Sequence, residues 1–116
     1  MVKYSEDRPW GKFERFTLNE LSTVKIISIN PNQKLSLQYH NKREEFWRVL
    51  DGLAKITLGD SEFRMYPGGE LYIPVKTLHR IESYDKPVSI LEISLGEFDE
   101  KDIVRFEDVY GRLVKH

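Results

Sequence analysis

Apolar residues in this sequence recur at every second position, in short runs that turn-forming residues interrupt. A period of two is that of a half-buried strand, and no long stretch shows the helical period of about 3.6. The interruptions include Asn30-Pro31-Asn32, Asp51-Gly52, Gly59-Asp60 and Pro67-Gly68-Gly69. The pattern predicts short strands at 13–18, 24–29, 35–40, 46–50, 53–58, 62–66, 70–74, 78–83 and 88–95.

Many short strands without a long helix predict an all-β fold, a sandwich or a barrel, in which closure of the sheet removes exposed strand edges. Asp51-Gly52 between two apolar runs predicts a hairpin, and Gly59-Asp60 predicts the next tight turn. Residues 99–112 fit either a short helix or an extended arm. The 116 residues suit a single domain, with a barrel at about 8–98 and a C-terminal arm at 99–116.

Composition excludes several classes of protein. The chain has no cysteine, which removes disulfide scaffolds, iron–sulfur clusters, zinc ribbons and cysteine nucleophiles. Its formal charge of −1 argues against a nucleic-acid partner, because such binding needs a clustered positive field. No apolar run approaches the roughly 18–20 residues of a membrane span, and the N-terminus lacks the apolar core of a signal peptide. We therefore expect no membrane partner and a cytoplasmic location.

Two of the three histidines lie in strand-like runs beside polar residues. Gln38 and His40 are two positions apart, so a strand would point both to one face, and Glu45 begins the next run after a short turn. Imidazole, amide oxygen and carboxylate are ligands that a divalent metal accepts. His79, in a later run, could complete the set from across the barrel. Taken separately, the short spacing arises often by chance, and a lone histidine is usually a hydrogen-bonded structural residue.

These residues are part of a longer sequence pattern. The sequence resembles the two motifs of the cupin superfamily, here Asn32-x5-Gln38-x-His40-x4-Glu45-x6-Gly52 and Gly68-x5-Pro74-x-Lys76-x2-His79-x3-Ser83. The spacing is kept, while Asn32, Gln38, Lys76 and Ser83 replace the usual residues. The resemblance implies a double-stranded β-helix, or jelly-roll barrel. It also implies one divalent metal ion, with zinc as first choice and manganese, cobalt, nickel or iron as alternatives, held by Gln38, His40, Glu45 and His79.

The flanking sequence is similar to the phosphomannose isomerase domain of the type II family. The similarity rests on Arg8-Pro9-Trp10-Gly11, on the segment before His40, on Glu45-x-Trp47 and on the terminal stretch at 102–112. It implies interconversion of mannose 6-phosphate and fructose 6-phosphate through an enediolate, in the service of GDP-mannose and polysaccharide biosynthesis. In that family the domain is often fused to a mannose-1-phosphate guanylyltransferase. This chain shows no phosphate-binding loop for such a half, so we expect no GDP-mannose synthesis by it unaided.

The resemblance also implies roles for charged residues. Arg105, in the terminal motif, is the first candidate for binding the substrate phosphate, because a guanidinium fork suits phosphate oxygens. Arg8, Lys12, Lys42 and Arg112 are further candidates. Glu92 interrupts an apolar run and is the first candidate for the catalytic base; it would have a useful pKa if it faced the cavity, and Lys42 is the second.

Other readings stay open at this point. A non-catalytic cupin could bind a sugar phosphate or sugar nucleotide and regulate a separate guanylyltransferase, which the changes at Gln38 and Lys76 favour slightly. Another cupin enzyme, an epimerase or a dioxygenase, fits less well: no aspartate lies close in sequence to either histidine, and iron oxygenases prefer three histidines. Because cupins commonly pair through exchanged or abutting terminal strands, we expect a homodimer.

Overall fold

The computed structural model describes residues 3–108 and 110, and every regular element in that part of the chain is a β-strand. The strands are β1 (Tyr4–Arg8), β2 (Gly11–Arg15), β3 (Ser22–Ile29), β4 (Leu37–Tyr39), β5 (Glu44–Asp51), β6 (Ala54–Leu58), β7 (Ser61–Met65), β8 (Glu70–Ile73), β9 (His79–Ser83), β10 (Val88–Leu95) and β11 (Val104–Glu107). The all-β prediction is confirmed, and each predicted run overlaps a strand. The pattern missed β1 and β11, which are short and half exposed.

Two sheets form the body of the molecule. One has four strands in the order β3-β10-β5-β8, and the other has five in the order β11-β4-β9-β6-β7. Apolar side chains from both sheets pack into one core, which shows that the sheets lie face to face as in a jelly roll. Its largest fully buried apolar members are Trp47, Ile56, Ile73, Ile81 and Ile90. Burial of each such side chain contributes roughly 1.5–3 kcal/mol.

The hairpin predicted at Asp51-Gly52 is wrong. β5 ends at Asp51 and pairs with β10 and β8, whereas β6 begins at Ala54 in the other sheet. Gly52 has a φ of +83°, and a Cβ atom there would lie 2.3 Å from the carbonyl oxygen of Pro87. The glycine thus lets the chain cross between sheets against the turn before β10. Alternating apolar runs do not distinguish this crossing from a hairpin, because both strands bury one face in the same core.

The turn predicted at Gly59-Asp60 is confirmed. It joins β6 to β7, which pair antiparallel with Leu58 opposite Ser61. Two of the non-glycine motif positions adopt left-handed backbone, Asn32 at φ +56° and Lys76 at φ +59°. Asparagine tolerates this region, but lysine does so at a cost of roughly 1–2 kcal/mol. The amide of Lys76 donates to the carbonyl oxygen of His40 at 2.6 Å, so this turn connects the loop before His79 to His40.

The two ends of the described chain are arranged differently. β1 and β2 form a separate two-stranded sheet, which ion pairs from Lys3 to Glu70 and from Arg48 to Glu14 connect to the four-stranded sheet. The C-terminal arm is extended: β11 pairs antiparallel with β4, which decides between the two predicted forms of residues 99–112 as far as they are described. The part of the chain that is described contains no helix able to span a membrane.

Candidate functional site

Three strands from the two sheets, β4, β5 and β9, bring the candidate ligands together inside the barrel. Gln38 on β4 lies directly opposite His79, the first residue of β9. Glu45 lies near the start of β5 and faces Ser94 on β10 in the register. His40 follows β4 directly. Residues that are 41 positions apart in sequence, Gln38 and His79, thus become neighbours because antiparallel pairing places them across one ladder.

Two imidazoles and one carboxylate converge in the interior. His40 Nε2 lies 2.7 Å from Glu45 Oε1, and His79 Nε2 lies 3.5 Å from the same oxygen. All three side chains are at most 3% exposed. One ligand atom from each lies within 4.8 Å of the others, which suits a shared ion.

Main-chain carbonyls set the tautomer of both rings. His40 Nδ1 lies 2.6 Å from the carbonyl oxygen of Asp102, and His79 Nδ1 lies 2.8 Å from that of Thr77. Because a carbonyl oxygen only accepts, each ring must donate its Nδ1–H, which leaves a lone pair on Nε2 of a neutral imidazole. Such a second hydrogen bond is characteristic of histidines that bind metals.

The arrangement fits a divalent metal ion. Glu45 Oε1 and His79 Nε2 are buried atoms without a hydrogen-bond partner among the described residues. Lone pairs on nitrogen and oxygen that approach to 2.7 Å repel one another unless a proton or a cation lies between them. Ligand atoms at about 2.1 Å from one tetrahedral zinc ion stand roughly 3.4 Å apart, close to the 3.5 Å between His79 Nε2 and Glu45 Oε1 and longer than the 2.7 Å between His40 Nε2 and the same oxygen.

Gln38 lies beside this cluster in a different hydrogen-bonding role. Its Oε1 accepts from Ser36 Oγ at 2.5 Å, while its Nε2 is turned toward His40 Nε2 at 3.5 Å. The amide oxygen that would bind a metal is therefore turned away from the three converging atoms. A 180° rotation of the amide would exchange its two ends and direct the oxygen to the cluster.

Glu92 lies beside Glu45 and faces the interior. Trp47 Nε1 donates to Glu92 Oε2 at 3.2 Å and is 3.4 Å from Glu45 Oε2, so one indole spans both carboxyl groups. Burial, and then the hydrogen bond and charge of Glu45, raise the pKa of Glu92 to about 8. Burial opposes ionisation of Glu45 as well, but the adjacent His40 and His79 imidazoles and the Glu92 carboxyl group outweigh this and lower its pKa below the usual range. Glu45 is therefore the stronger acid of the two.

The cluster opens into a cavity of about 360 Å³, within the range of small-molecule sites. Both apolar and polar side chains line it. The lining residues are Lys25, Ile27, Leu35, Ser36, Gln38, Arg43, Trp47, His79, Arg80, Ile81, Glu92, Phe98, Glu100, Ile103 and Arg105. Such a mixture suits a small polar ligand that carries negative charge.

Cationic side chains surround the cavity. Arg105, on β11, lines the cavity, and its Nε is buried without a hydrogen-bond partner among the described residues. The Nε of Arg43 is likewise buried without a hydrogen-bond partner there. Arg43 Nη2 lies 3.3 Å from His40 Nε2. At the opening, the ring of Phe98 lies 4.4 Å from the Arg43 guanidinium carbon and 4.2 Å from Lys25 Nζ. Arg80 differs, because it donates to the carbonyl oxygens of Leu35 and Glu107 and thus supports the wall.

The other cationic candidates from the sequence lie elsewhere. Arg8 and Lys12 are exposed on the β1–β2 hairpin, and Arg8 pairs with Glu6. Lys42 is exposed and engages Asp102 through its main-chain amide. None of these three lines the cavity. Arg112 lies outside the described residues.

Sequence reasoning missed four residues of this region: Lys25, Arg43, Phe98 and Asp102. Arg43 could have been found, because it precedes Glu45 by two positions and the alternation rule places both on one face. Asp102 could not, since it meets the loop after β4 from about 60 residues away. Lys25 and Phe98 likewise meet only through the packing of the arm against β3.

Comparison with solved structures shows the fold. A sugar phosphate isomerase of the cupin superfamily from Silicibacter pomeroyi superposes with a TM-score of 0.63 at 20% sequence identity, covering 84% of this chain and 73% of that chain. Identity at this level is evidence for the fold alone. The chain has the cupin fold that its two motifs predict.

Comparison of sequences is more specific. The xanthan biosynthesis protein XanB of Xanthomonas campestris is 39% identical over 107 residues, and the mannose-1-phosphate guanylyltransferase ManC of Salmonella typhimurium is 37% identical over 108 residues. These matches cover 90% and 91% of this chain but only 23% and 22% of the two relatives. This chain therefore spans less than a quarter of the length of either protein.

The sequence profile described as mannose-6-phosphate isomerase C-terminal matches residues 2–108. The match includes both cupin motifs, the converging cluster and the strand that carries Arg105. With nearly all of the chain matched, the protein belongs to the mannose-6-phosphate isomerase C-terminal family.

Proposed function

We propose that the protein is a metal-dependent isomerase that interconverts mannose 6-phosphate and fructose 6-phosphate. The observation that carries the proposal is the convergence of His40 Nε2, His79 Nε2 and Glu45 Oε1 at the base of a cation-lined cavity. The family description and the resemblance to type II phosphomannose isomerases supply the substrate. The cytoplasm is the compartment we expect for this chemistry.

The proposed metal site has His40, Glu45 and His79 as ligands, with Gln38 as a fourth after rotation of its amide. Zinc is our first choice, because two neutral imidazoles and a carboxylate form a known zinc ligand set, and manganese, cobalt, nickel and iron are alternatives. A bound divalent ion would supply Lewis acidity that polarises the sugar carbonyl and stabilises negative charge on its oxygen.

The proposed reaction moves two protons and needs no external oxidant. A base removes the proton from C2 of the aldose and returns it to C1, while the C2 hydroxyl proton passes to the C1 oxygen. Glu92 is our candidate for the base, because it lines the cavity beside the cluster and Trp47 orients its carboxyl group. Lys42 was the second candidate, and its exposed position supports it less.

The proposed phosphate subsite lies at the cavity opening. Arg105 and Arg43 both line the cavity, and each has a buried Nε without a hydrogen-bond partner among the described residues, although that of Arg43 lies 3.7 Å from Glu45 Oε1. Guanidinium groups with free donors favour a bound anion. Lys25, held against Phe98, adds a third positive charge. Arg8, Lys12 and Arg112 remain sequence candidates without a structural observation that supports them.

A second candidate function follows from the relatives. ManC is named a mannose-1-phosphate guanylyltransferase, and this chain corresponds to less than a quarter of its length. In that alternative the protein binds a sugar phosphate or sugar nucleotide without turnover and regulates a separate guanylyltransferase. A coupled assay for fructose 6-phosphate separates the two: metal-dependent turnover that chelation abolishes supports the isomerase, whereas tight binding of mannose 6-phosphate without turnover supports the regulator.

Metal binding is tested with two adjacent carboxylates. Glu45→Gln removes the charge between the two histidines and should weaken zinc binding by roughly 100-fold or more, which competition with a chromophoric chelator measures. Glu44→Gln is the matched control, since Glu44 points to the other face of β5, and it should bind zinc as the wild type does. Wild-type affinity in Glu45→Gln would refute the proposed ligand set.

The catalytic base is tested by Glu92→Gln, which keeps the shape of the side chain and removes its ability to accept a proton. We expect kcat to fall by about 100-fold or more, with zinc content and KM little changed. Glu62→Gln, an exposed carboxylate on β7, serves as the control and should retain full activity. A fully active Glu92→Gln enzyme would exclude Glu92 as the base.

The phosphate subsite is tested by Arg105→Gln, with Arg8→Gln on the distant hairpin as control. Loss of a charge-assisted hydrogen bond should raise KM for mannose 6-phosphate by roughly 10- to 100-fold in Arg105→Gln. Arg8→Gln should leave KM unchanged. The reverse pattern would move the phosphate subsite to the hairpin.

The proposed homodimer has support in an apolar strand at the edge of the four-stranded sheet. Val24 and Ile26 on β3 are 59% and 64% exposed, and Leu21 beside them is 68% exposed. Light scattering should give a particle of about twice the 13.8 kDa chain mass. The double variant Val24→Lys/Ile26→Lys should give a particle of one chain mass. The control Tyr66→Lys, at an exposed site after β7, should remain a dimer. A wild-type particle of one chain mass would exclude the dimer.

A further inference from the structure

The C-terminal arm crosses the cavity before it joins the five-stranded sheet. After β10 ends at Leu95, the chain turns at Gly96, contributes Phe98, Glu100 and Ile103 to the cavity wall, and enters β11 with Arg105. The arm therefore contacts the proposed phosphate subsite directly. At Asp102 it also contacts the loop that carries His40.

Asp102 makes three hydrogen bonds to this loop. Its carboxylate accepts from the main-chain amides of Asn41, at 2.8 Å to Oδ1, and of Lys42, at 2.9 Å to Oδ2. Its carbonyl oxygen accepts from His40 Nδ1 at 2.6 Å. A bidentate carboxylate on two consecutive amides fixes the orientation of the loop relative to the arm. The same residue thus holds the loop with its side chain and the imidazole with its main chain.

This contact decides which nitrogen of His40 bears the proton. With the carbonyl of Asp102 in place, the proton stays on Nδ1 and the lone pair of Nε2 faces Glu45. Without it, a proton on Nε2 would form a hydrogen bond across the 2.7 Å to Glu45 Oε1 and would occupy the position of a cation. Loss of the contact would therefore favour a proton over a metal ion at the cluster.

We propose that Asp102 is a positioning residue that keeps His40 in the metal-binding tautomer from the C-terminal arm. The inference rests on the metal site of the proposed function. It assigns a role in metal binding to a segment that supplies no ligand. Because Arg105 lies three residues further along the same arm, the segment supports the ligand end and the phosphate end of the cavity together.

The test compares Asp102→Ala and Asp102→Asn with Glu97→Ala, which removes an exposed charge from the preceding turn of the same segment. Zinc affinity is measured by chelator competition, and the His40 tautomer is measured by long-range proton–nitrogen NMR of the metal-free protein. Asp102→Ala keeps the main-chain carbonyl but releases the amides of Asn41 and Lys42, so the loop that carries His40 can move away from that carbonyl. Zinc should therefore bind about 10- to 100-fold more weakly, as on loss of an outer partner, and the Nδ1–H signature of His40 should weaken. Asp102→Asn keeps one acceptor oxygen and should lie between, and Glu97→Ala should match the wild type.

Wild-type zinc affinity in a folded Asp102→Ala protein would overturn the proposal, and so would weaker binding with the tautomer of His40 unchanged. If Asp102→Ala does not fold, the same two readouts on Asp102→Asn decide. Should the wild type bind no zinc, the metal site of the proposed function fails. The tautomer of metal-free His40 then still shows whether Asp102 controls the ring.

Discussion

Burial of the Glu45 carboxylate between two histidines is the interaction on which the site depends. A charged group that is 1% exposed must be compensated, because removing it from water costs several kcal/mol. Part of that compensation comes from the Arg43 guanidinium, whose Nε lies 3.7 Å from Glu45 Oε1, from Trp47 Nε1, and from the adjacent Glu92 carboxyl group. Unpartnered atoms on Glu45 and His79 remain among the described residues, and a divalent cation would satisfy both.

The barrel serves this interaction by fixing distances between strands. Pairing of β4 with β9 sets Gln38 opposite His79, and pairing of β5 with β10 sets Trp47 opposite Glu92. Most of the apolar core lies further along the same strands, whereas Trp47 and Ile81 belong to the core and also line the cavity. Rigid strands, not loops, therefore carry most of the groups that the proposed chemistry needs.

Much of the cluster was predictable from local pattern. Alternation places Gln38 with His40, and the motif frame adds Glu45 and His79, because residues at fixed spacing in paired strands recur at fixed positions in space. Contacts made by the C-terminal arm were not predictable, since the period of a strand says nothing about which distant strand it joins. Hence the pattern does not identify β11 or Asp102, and it predicts a hairpin at Asp51-Gly52, where the chain crosses between the two sheets.

The departures from the cupin motifs have physical consequences that can be separated. Lys76 adopts the left-handed backbone usual for glycine, and its amide contact with the carbonyl of His40 holds the strained turn in place. At Gln38 an amide side chain replaces the usual first histidine, and this amide is hydrogen-bonded to Ser36. The remaining two imidazoles and the carboxylate form the proposed metal centre.

X-ray absorption at the zinc edge of the zinc-loaded protein identifies the donors that bind the ion. We expect a shell of nitrogen and oxygen donors at about 2.0–2.1 Å, with the outer-shell scattering of two imidazole rings. A spectrum with oxygen donors alone and no imidazole scattering would contradict it, because the ion would then lie away from His40 and His79.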